Sequence, residues 1–303
     1  MINFIGNKYI AFFVSGLAFI VAVVALITYG LKPSMDFTGG SLLEVKFTGV
    51  RPAVADVRTE IQAQDFSNAV VQTTGDDGMI VKTKFLSEEQ HQKLLEVLRT
   101  KYEQNENKIL ELRFETIGPA ISAQLKSRSM YAIIVVNIAI ILFIAYSFRK
   151  VSKPVASWKF GVVAVIALVH DVTITAGVFA ILGHFMGIEV DVPFVVALLT
   201  VLGYSVNDTI VVFDRVRENL IRRSSEHFDL LVNTAVNETL ARSLNTTLTT
   251  LLTLFALFFF GGVTIKYFAL ALLIGIFCGA YSSIFVASPL LVIWEKFKRR
   301  KYA

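Results

Sequence analysis

The stretch Val192–Phe213, VPFVVALLTVLGYSVNDTIVVF, decides the fold class of this chain. It is apolar along most of its length, and a helix needs about 20 such residues to cross a bilayer. Its second half nevertheless carries Asn207 and Asp208. An aspartate near the bilayer centre costs about 2.5–3.5 kcal/mol on insertion scales, so such residues usually face the interior of a helix bundle. The stretch therefore predicts one membrane-spanning helix of a bundle with polar groups inside.

Five further segments are also apolar and long enough to span a membrane. Charged residues make up only 17% of the 303 residues, below the roughly 25% of soluble domains. The sequence therefore predicts an α-helical polytopic membrane protein with six transmembrane helices. The span nearest the N-terminus, Tyr9–Leu31, is too long for a signal-peptide core and is predicted to be a retained anchor. The other predicted spans are Ser129–Phe148, Phe160–Met186, Ser243–Ile265 and Tyr267–Trp294.

Lys and Arg residues are concentrated on one side of the predicted bundle, in the connections 149–159 and 215–242 and in the tail. Because cytoplasmic loops are enriched in basic residues, both termini are predicted in the cytoplasm. The membrane is taken to be a bacterial inner membrane. Topology accounts for the basic runs, so no nucleic-acid binding is predicted. These residues are Arg149, Lys150, Lys153, Lys159, Arg215, Arg217, Arg222, Arg223, Arg242, Lys296, Lys298, Arg299, Arg300 and Lys301.

The segment of about 32–128 then lies in the periplasm, between helices 1 and 2. Within it, the predicted strands and helices follow the order β-α-β-β-α-β of a small ferredoxin-like α+β domain. Gly75–Gly78 is a hairpin signal, Ser87 is a predicted N-cap, and His91 is expected at the surface. The predicted parts of the chain are 1–31 (N-terminus and helix 1), 32–128 (periplasmic domain), 129–294 (helices 2–6) and 295–303 (basic cytoplasmic tail).

Polar residues inside the predicted spans carry the functional argument. His170 and Asp171 interrupt the third span, and Asn207 and Asp208 interrupt the fourth. Counted from the basic connections, Asp171 is predicted near the membrane centre and Asp208 closer to the cytoplasm. The fifth span has a polar stripe on one helical face, which is expected to form a hydrated interior surface. The stripe consists of Arg242, Asn245, Thr246, Thr249, Thr250 and Thr253.

These residues suggest a proton relay. Burial favours the neutral form of a carboxylate, whereas a nearby Arg favours its charged form. Separating Asp208 from Arg242 would favour proton uptake, and bringing them together would favour release, with Asp171 as a further relay residue. Alternatives remain: a structural ion pair or interhelical hydrogen bonds, Arg242 as a snorkelling anchor, and Thr hydroxyls bonded to their own helix. His170 could serve only to orient Asp171.

An enzymatic function is not expected. Tyr204-Ser205 and the two aspartates match the motifs of intramembrane serine and aspartyl proteases poorly, because Asn207 stands where glycine is required in both patterns. With one cysteine, Cys278, neither a disulfide framework nor a thiolate metal site is possible, and no metal-ligand cluster is predicted. Gly275, Gly279 and Ser283 in the sixth span are spaced for close helix packing.

Several short motifs, in order along nearly the whole chain, resemble those of the SecF family of bacterial protein-export subunits. Two of them flank the external domain, and three lie in the third, fourth and fifth spans. The fourth-span motif is the most specific. The motifs are Asp36–Gly40 (DFTGG), Glu115–Pro119 (ETIGP), His170-Asp171, Gly203–Thr209 (GYSVNDT) continuing to Phe213–Glu218 (FDRVRE), and Arg242–Thr247 (RSLNTT).

The resemblance implies an auxiliary export subunit driven by the proton-motive force, similar to the resistance-nodulation-division superfamily. Its implied partners are SecD, the SecYEG translocon, YajC and the unfolded polypeptide in transit. Protons are the implied coupling ion, with no cofactor. In this family a fourth-span Asp and a fifth-span Arg are tied to proton transport, and these correspond by motif to Asp208 and Arg242. Asn207, Asn245, Thr246 and Thr249 are expected to be supporting polar residues.

Two other functions remain open, half of a small-molecule or lipid exporter of the same superfamily and a passive translocon scaffold. Drug pumps of the superfamily have much larger external loops, which favours the export subunit. The start at Met1 favours a separate polypeptide over a piece of a fused SecD–SecF chain. Flexible or turn-forming residues at both ends of the external domain are expected to couple it to the bundle. These are Asp36, Gly39, Gly40, Gly118 and Pro119.

Overall fold

The computed structural model describes residues 1–64, 66–104, 107–147, 157–223 and 226–301. The predicted basic residues Arg149, Lys150 and Lys153 lie outside the described residues, and so do the side chains of 297–301. The chain divides into two compact units, Met1–Lys32 with Met130–Ala303, and Pro33–Ser129. The elements in chain order are α1 (Lys8–Thr28), α2 (Met35–Thr38), β1 (Gly40–Phe47), α3 (Val54–Ala63), β2 (Val70–Thr74), β3 (Gly78–Thr83), α4 (Glu88–Tyr102), β4 (Ile109–Ile117), α5 (Pro119–Ser147), α6 (Ser157–Met186), α7 (Val192–Arg222), α8 (Phe228–Phe260), α9 (Val263–Ser282), a π turn (Ser283–Ala287) and α10 (Ser288–Lys301).

The smaller unit contains a four-stranded antiparallel sheet with strand order β2-β3-β1-β4. Helices α3 and α4 follow β1 and β3, so the predicted ferredoxin-like order is confirmed. The hairpin after Thr74 forms as predicted, with Thr74 opposite Gly78. Ser87 caps α4 in a reciprocal capping box with Gln90. The core of this unit includes Leu43, Val45, Phe47, Val57, Ile61, Met79, Val81, Leu94, Leu95 and Leu98.

His91 is buried, and the surface position predicted for it is wrong. Only 4% of the residue is exposed. Its ring stacks on Phe114 of β4, with centroids 3.7 Å apart and planes at 4°. Its two ring nitrogens lie 3.3 Å from Glu88 Oε1 and 3.1 Å from Glu111 Oε1. Hydrogen bonds from Gln92 and from His91 hold the pKa of the Glu88 carboxyl below its ordinary value. The helical spacing did carry a signal for this burial, because Leu94, Leu95 and Leu98 follow His91 at three, four and seven residues and lie on the same face of α4.

In the larger unit, the described residues include six helices long and apolar enough to cross a membrane, as predicted. Three of these helices extend well beyond the predicted spans. Helix α5 begins at Pro119, α7 continues to Arg222, and α8 begins at Phe228. The predicted connection 215–242 is therefore mostly helical. Hydropathy marks where a helix leaves the lipid, but backbone hydrogen bonds let it continue into water.

Small residues bring α9 close to α7. A Cβ added to Gly275 would lie 2.2 Å from Val201 Cγ2, and one added to Gly279 would lie 2.8 Å from the Cβ of Ser205. Both distances are too short for a real side chain, so the helices approach this closely only because glycine is present. The predicted packing role of these two glycines is confirmed.

The helix α9 ends at the π turn Ser283–Ala287, within the sixth span. The wider turn is closed in part by Ser288 Oγ, which donates to the carbonyl of Ser283 at 2.9 Å. Phe4 packs its ring edge on Phe285, with centroids 5.5 Å apart. The N-terminal segment is held in turn by Asn233, whose Oδ1 accepts hydrogen bonds from the backbone N–H groups of Phe4 and Ile5. Short π segments inside helices occur frequently at functional sites.

Candidate functional site in the helix bundle

Asp171 lies near the middle of α6 and is completely buried. Its Oδ2 accepts hydrogen bonds from Ser205 Oγ of α7 at 2.6 Å and from Ser282 Oγ of α9 at 2.7 Å. Its Oδ1 lies 2.9 Å from Nδ1 of His170. Three helices therefore contribute to one carboxylate. Buried carboxylates need such partners, because an unpaired one is costly to desolvate.

Asp208 lies near the middle of α7 and is 7% exposed. Its Oδ1 accepts a hydrogen bond from Ser243 Oγ of α8 at 2.7 Å, and its Oδ2 accepts one from Ser283 Oγ at 2.7 Å. Both donors are neutral hydroxyls. The depth predicted for Asp208 was counted from Asp214 as the cytoplasmic edge of the membrane, and the helix itself continues to Arg222.

The two carboxylates are linked through adjacent serines. Ser282 binds Asp171, and Ser283 binds Asp208. Because Gly279 lies three residues before Ser282, the same close approach of α9 and α7 brings this serine pair between the carboxylates. Ser283 was predicted as a small packing residue only. No sequence signal identified Ser205, Ser243 or Ser282 as partners of the aspartates, because serine is common in membrane helices.

Arg242 does not pair with Asp208 within this chain. Its side chain is exposed, and over the residues that the structure describes no ion pair joins the two. The residue of α8 that reaches Asp208 is the next one, Ser243. Helical periodicity identified the face that carries Arg242, but it could not identify the helix that this face contacts.

Most of the predicted polar stripe of α8 also lies on the outside of this chain's bundle rather than in its interior. Arg242, Asn245, Thr246, Thr249 and Thr253 are exposed, and Thr250 is half-buried. The threonine hydroxyls donate to carbonyls of their own helix, as one of the alternatives held. Thr250 also lies 3.4 Å from the Tyr204 hydroxyl.

The remaining predicted residues occupy separate positions. His170 is buried, and its Nε2 has no hydrogen-bond partner among the described residues. Asn207 is exposed and lines a groove between α5 and α7. Gly39 and Gly40 have φ angles of 73° and 140°, in the region that favours glycine. Asp36 lies in the first turn of α2. Gly118 directly precedes Pro119, the first residue of α5.

A buried ion pair was missed by sequence reasoning. Lys159 Nζ of α6 donates to Glu295 Oε2 of α10 at 3.0 Å, and both side chains are buried. Lys159 had been assigned to a basic connection and Glu295 to the tail. Both lie at the hydropathy edge of their spans, where sequence cannot separate a solvated charge from a buried one. No group of three or more His, Cys, Asp or Glu residues in the described ranges could hold a metal ion.

The fold and the site define a multi-pass helical membrane protein with two hydrogen-bonded carboxylates in the core of its bundle. A family model described as "Protein export membrane protein SecD/SecF, C-terminal" matches residues 97–297. A second model, "SecD/SecF GG Motif", matches residues 24–49, which include Gly39 and Gly40. The chain belongs to the SecF branch of this protein-export family.

Similar proteins are named as translocase subunits. The chain is 42% identical to protein translocase subunit SecF of Thermobaculum terrenum, covering 97% of this chain and 94% of the relative. It is 37% identical to SecF of Anaerolinea thermophila, covering 100% and 97%. It also matches SecDF of Thermus thermophilus, at 36% identity over 99% of this chain and 39% of the relative. These relatives support an auxiliary role in Sec export.

Among solved structures, the crystal structure of Thermus SecDF, titled a translocon-associated membrane protein, has a TM-score of 0.82 to this chain at 36% identity. The alignment covers 97% of this chain and 39% of the SecDF chain. A second SecDF structure, in a form titled super-membrane-facing, has a TM-score of 0.71 at 35% identity. The fold of this chain therefore corresponds to a part of SecDF.

Proposed function

We propose that this chain uses the proton-motive force to assist translocation of polypeptides by the Sec machinery. Asp208 carries the proposal: it is buried at mid-helix and, among the described residues, is bonded only by neutral hydroxyls. A carboxylate without a paired cation in a desolvated site can bind and release a proton. Asp171 and His170 form a second ionisable group beside it. The chain acts without an enzymatic reaction or a cofactor, and the proton is its coupling ion.

SecD is the proposed partner, because relatives exist in which SecD and SecF form one chain. In this assembly Arg242 and Asn245, exposed here, meet helices of the partner. Arg242 reaches Asp208 only when the bundle rearranges, which gives the proton switch its two states. The SecYEG channel, YajC and the unfolded polypeptide are the further partners of this proposal. The protein lies in the inner membrane, with cytoplasmic termini and a periplasmic unit at about 32–128.

The proposal is tested with Asp208→Asn, which keeps the size and hydrogen bonding of the side chain but cannot carry a charge. We expect proton conductance to fall to background in vesicles that contain the chain with a SecD partner. Export stimulated by the proton gradient should be lost as well. The measurement is a pH-sensitive dye inside the vesicles, together with a translocation assay on the same preparation.

Asp214→Asn is the matched control, because Asp214 is on the same helix and its side chain is 70% exposed. We expect this variant to conduct and export like the wild type. Wild-type conductance and export in Asp208→Asn would contradict the proposal and leave a passive scaffold as the function. For the other alternative, half of a small-molecule or lipid exporter, no feature of the described residues speaks specifically.

A further inference from the structure

The adjacent serines Ser282 and Ser283 each have two hydrogen-bond acceptors within reach. Ser283 Oγ lies 2.7 Å from Asp208 Oδ2 and 3.0 Å from the carbonyl oxygen of Ala280. Ser282 Oγ lies 2.7 Å from Asp171 Oδ2 and 3.2 Å from the carbonyl oxygen of Gly279. Both serines are completely buried. Each hydroxyl therefore has a carboxylate on one side and a carbonyl of its own helix on the other.

This arrangement matters because a carboxyl group changes its hydrogen-bonding role when it titrates. A charged carboxylate only accepts hydrogen bonds, whereas a protonated carboxyl also has an O–H donor that needs an acceptor. A backbone N–H or an ammonium partner can only donate, so it would leave the protonated form unpaired. A serine hydroxyl has one donor and two acceptor lone pairs and can serve both forms.

The reversal requires only rotation of the serine hydroxyl. With Asp208 charged, the Ser283 O–H donates to Oδ2. When a proton binds Oδ2, the new O–H donates to Ser283 Oγ, and the serine proton turns toward the Ala280 carbonyl. The serine O–H bond stays intact, and the net change is one proton gained by the carboxyl group. Serine hydroxyls in helices commonly donate to carbonyls three or four residues earlier, so the turned state is a favourable one.

We propose that Ser282 and Ser283 are positioning residues that let Asp171 and Asp208 change protonation state without leaving a buried polar atom unpaired. The inference rests on the proposed proton role of Asp208 and adds the residues that make repeated protonation possible. The same role explains why hydroxyls, and not a cation, bind Asp208, because a fixed cation would hold the carboxyl group in its charged form. Ser282 ends α9 and Ser283 begins the π turn, and these two consecutive side chains bind carboxylates on two different helices.

Other ionisable side chains lie on α7 and on the helices packed against it. Ser283→Ala and Ser288→Ala leave all of them in place, so they are the same across these variants. On α8, Glu238 is bound by Arg215 and by Asn219. Further groups on these elements include His170 and Asp171 on α6, Cys278 on α9, Arg242 beside Ser243 on α8, and Asp214 on α7 itself.

The test is an infrared titration of the full chain in lipid vesicles, with Asp208 identified by the signal that Asp208→Asn removes. In Ser283→Ala the charged carboxylate loses a donor, and hydrogen bonds to charged groups are stronger than neutral ones. We expect the midpoint of the Asp208 titration to move to higher pH by about one unit. The pH profile of proton conductance should move by the same amount. Ser283→Cys retains the size and a weak donor, so its shift should be smaller.

Ser288→Ala is the control, because Ser288 is equally buried and closes the same turn but has no bond to a carboxylate. It should leave the midpoint unchanged. An unshifted midpoint in Ser283→Ala, or an equal shift in Ser288→Ala, would overturn the inference. If Ser283→Ala does not accumulate in the membrane, the Asp208 midpoint in Ser283→Cys is compared with the wild type and with Ser288→Ala instead. An unshifted midpoint in Ser283→Cys would then overturn the inference. A conducting Asp208→Asn variant would refute the proposed function alone, since the infrared titration still reports on the serine.

Discussion

The side chains that bind a buried carboxyl group determine how readily that group changes its protonation state. Arg and Lys beside a carboxylate hold it in the ionised form, and the pair of Lys159 and Glu295 is of this fixed kind. Asp208 is bound by Ser243 and Ser283 instead. At the scale of single residues, the described part of the bundle thus holds one buried carboxylate, Glu295, against a cation and another, Asp208, among neutral hydroxyls.

His91 allows a prediction about the smaller unit, Pro33–Ser129. Replacing it with Ala removes a ring stacked on Phe114 and leaves a cavity between α4 and the sheet. We expect the unit to lose about 2 kcal/mol of stability, in the range of other buried ring and aliphatic truncations. Hydrogen exchange of the β4 amides, measured by mass spectrometry on the full chain, should become faster. Glu96→Ala, at an exposed position of the same helix, should leave exchange unchanged. Unaltered β4 protection in His91→Ala would show that the stack contributes nothing.

At the scale of helices and strands, the contact between α7 and α9 makes a second prediction. In Gly279→Ala the new Cβ would lie 2.8 Å from that of Ser205. The helices must separate, and overpacking of this kind typically costs about 1–3 kcal/mol. Separation also draws Ser205 and Ser282 away from Asp171. We therefore expect the melting temperature in detergent to fall by several degrees and proton conductance to fall with it.

A glycine elsewhere in the bundle provides the comparison. Gly16 of α1 has no atom within 4 Å of an added Cβ. Gly16→Ala should melt at or slightly above the wild-type temperature, because alanine has the higher helix propensity. Equal melting temperatures for Gly279→Ala and the wild type would mean that the close contact is not needed for stability.

Sequence reasoning succeeded for features set by local patterns. The six spans follow from their apolar length, the N-cap at Ser87 from a local helix-start signal, and the ferredoxin-like fold from the order of predicted strands and helices. Features set by distant contacts were missed. The stacking partner of His91 is Phe114 on β4, which the pattern of α4 alone does not identify, and no residue pattern predicted the π turn at Ser283. The aspartates stood out because they are costly in a membrane, whereas their serine partners are not.

At the scale of the whole molecule, the exposed face of α8 indicates that this bundle does not meet lipid on all sides. Arg242 and Asn245 are exposed, and neither has a side-chain partner in the part of the chain that the structure describes. Charged groups exposed to hydrocarbon are rare, because they cost several kcal/mol. The apolar face of the same helix, with Leu248 and Leu252, is also exposed and suits lipid. The polar face therefore requires a partner that supplies hydrogen bonds or water.

We expect Thr249, which lies on this polar face, to contact a SecD partner. In the background Cys278→Ala, the variant Thr249→Cys is labelled with a benzophenone maleimide and irradiated in membranes that contain SecD. A cross-linked product of the combined mass should form, because the two polar half-bundles bury this face together. Leu248→Cys is next to it in sequence but lies about 100° around the helix, so it should label lipid and yield little product. Product from Leu248→Cys alone would place the partner on another face of α8, and equal cross-linking from both positions would show that the contact is not confined to the polar face. Arg242 and Asn245 would then need a different explanation, such as a water-filled groove between copies of this chain.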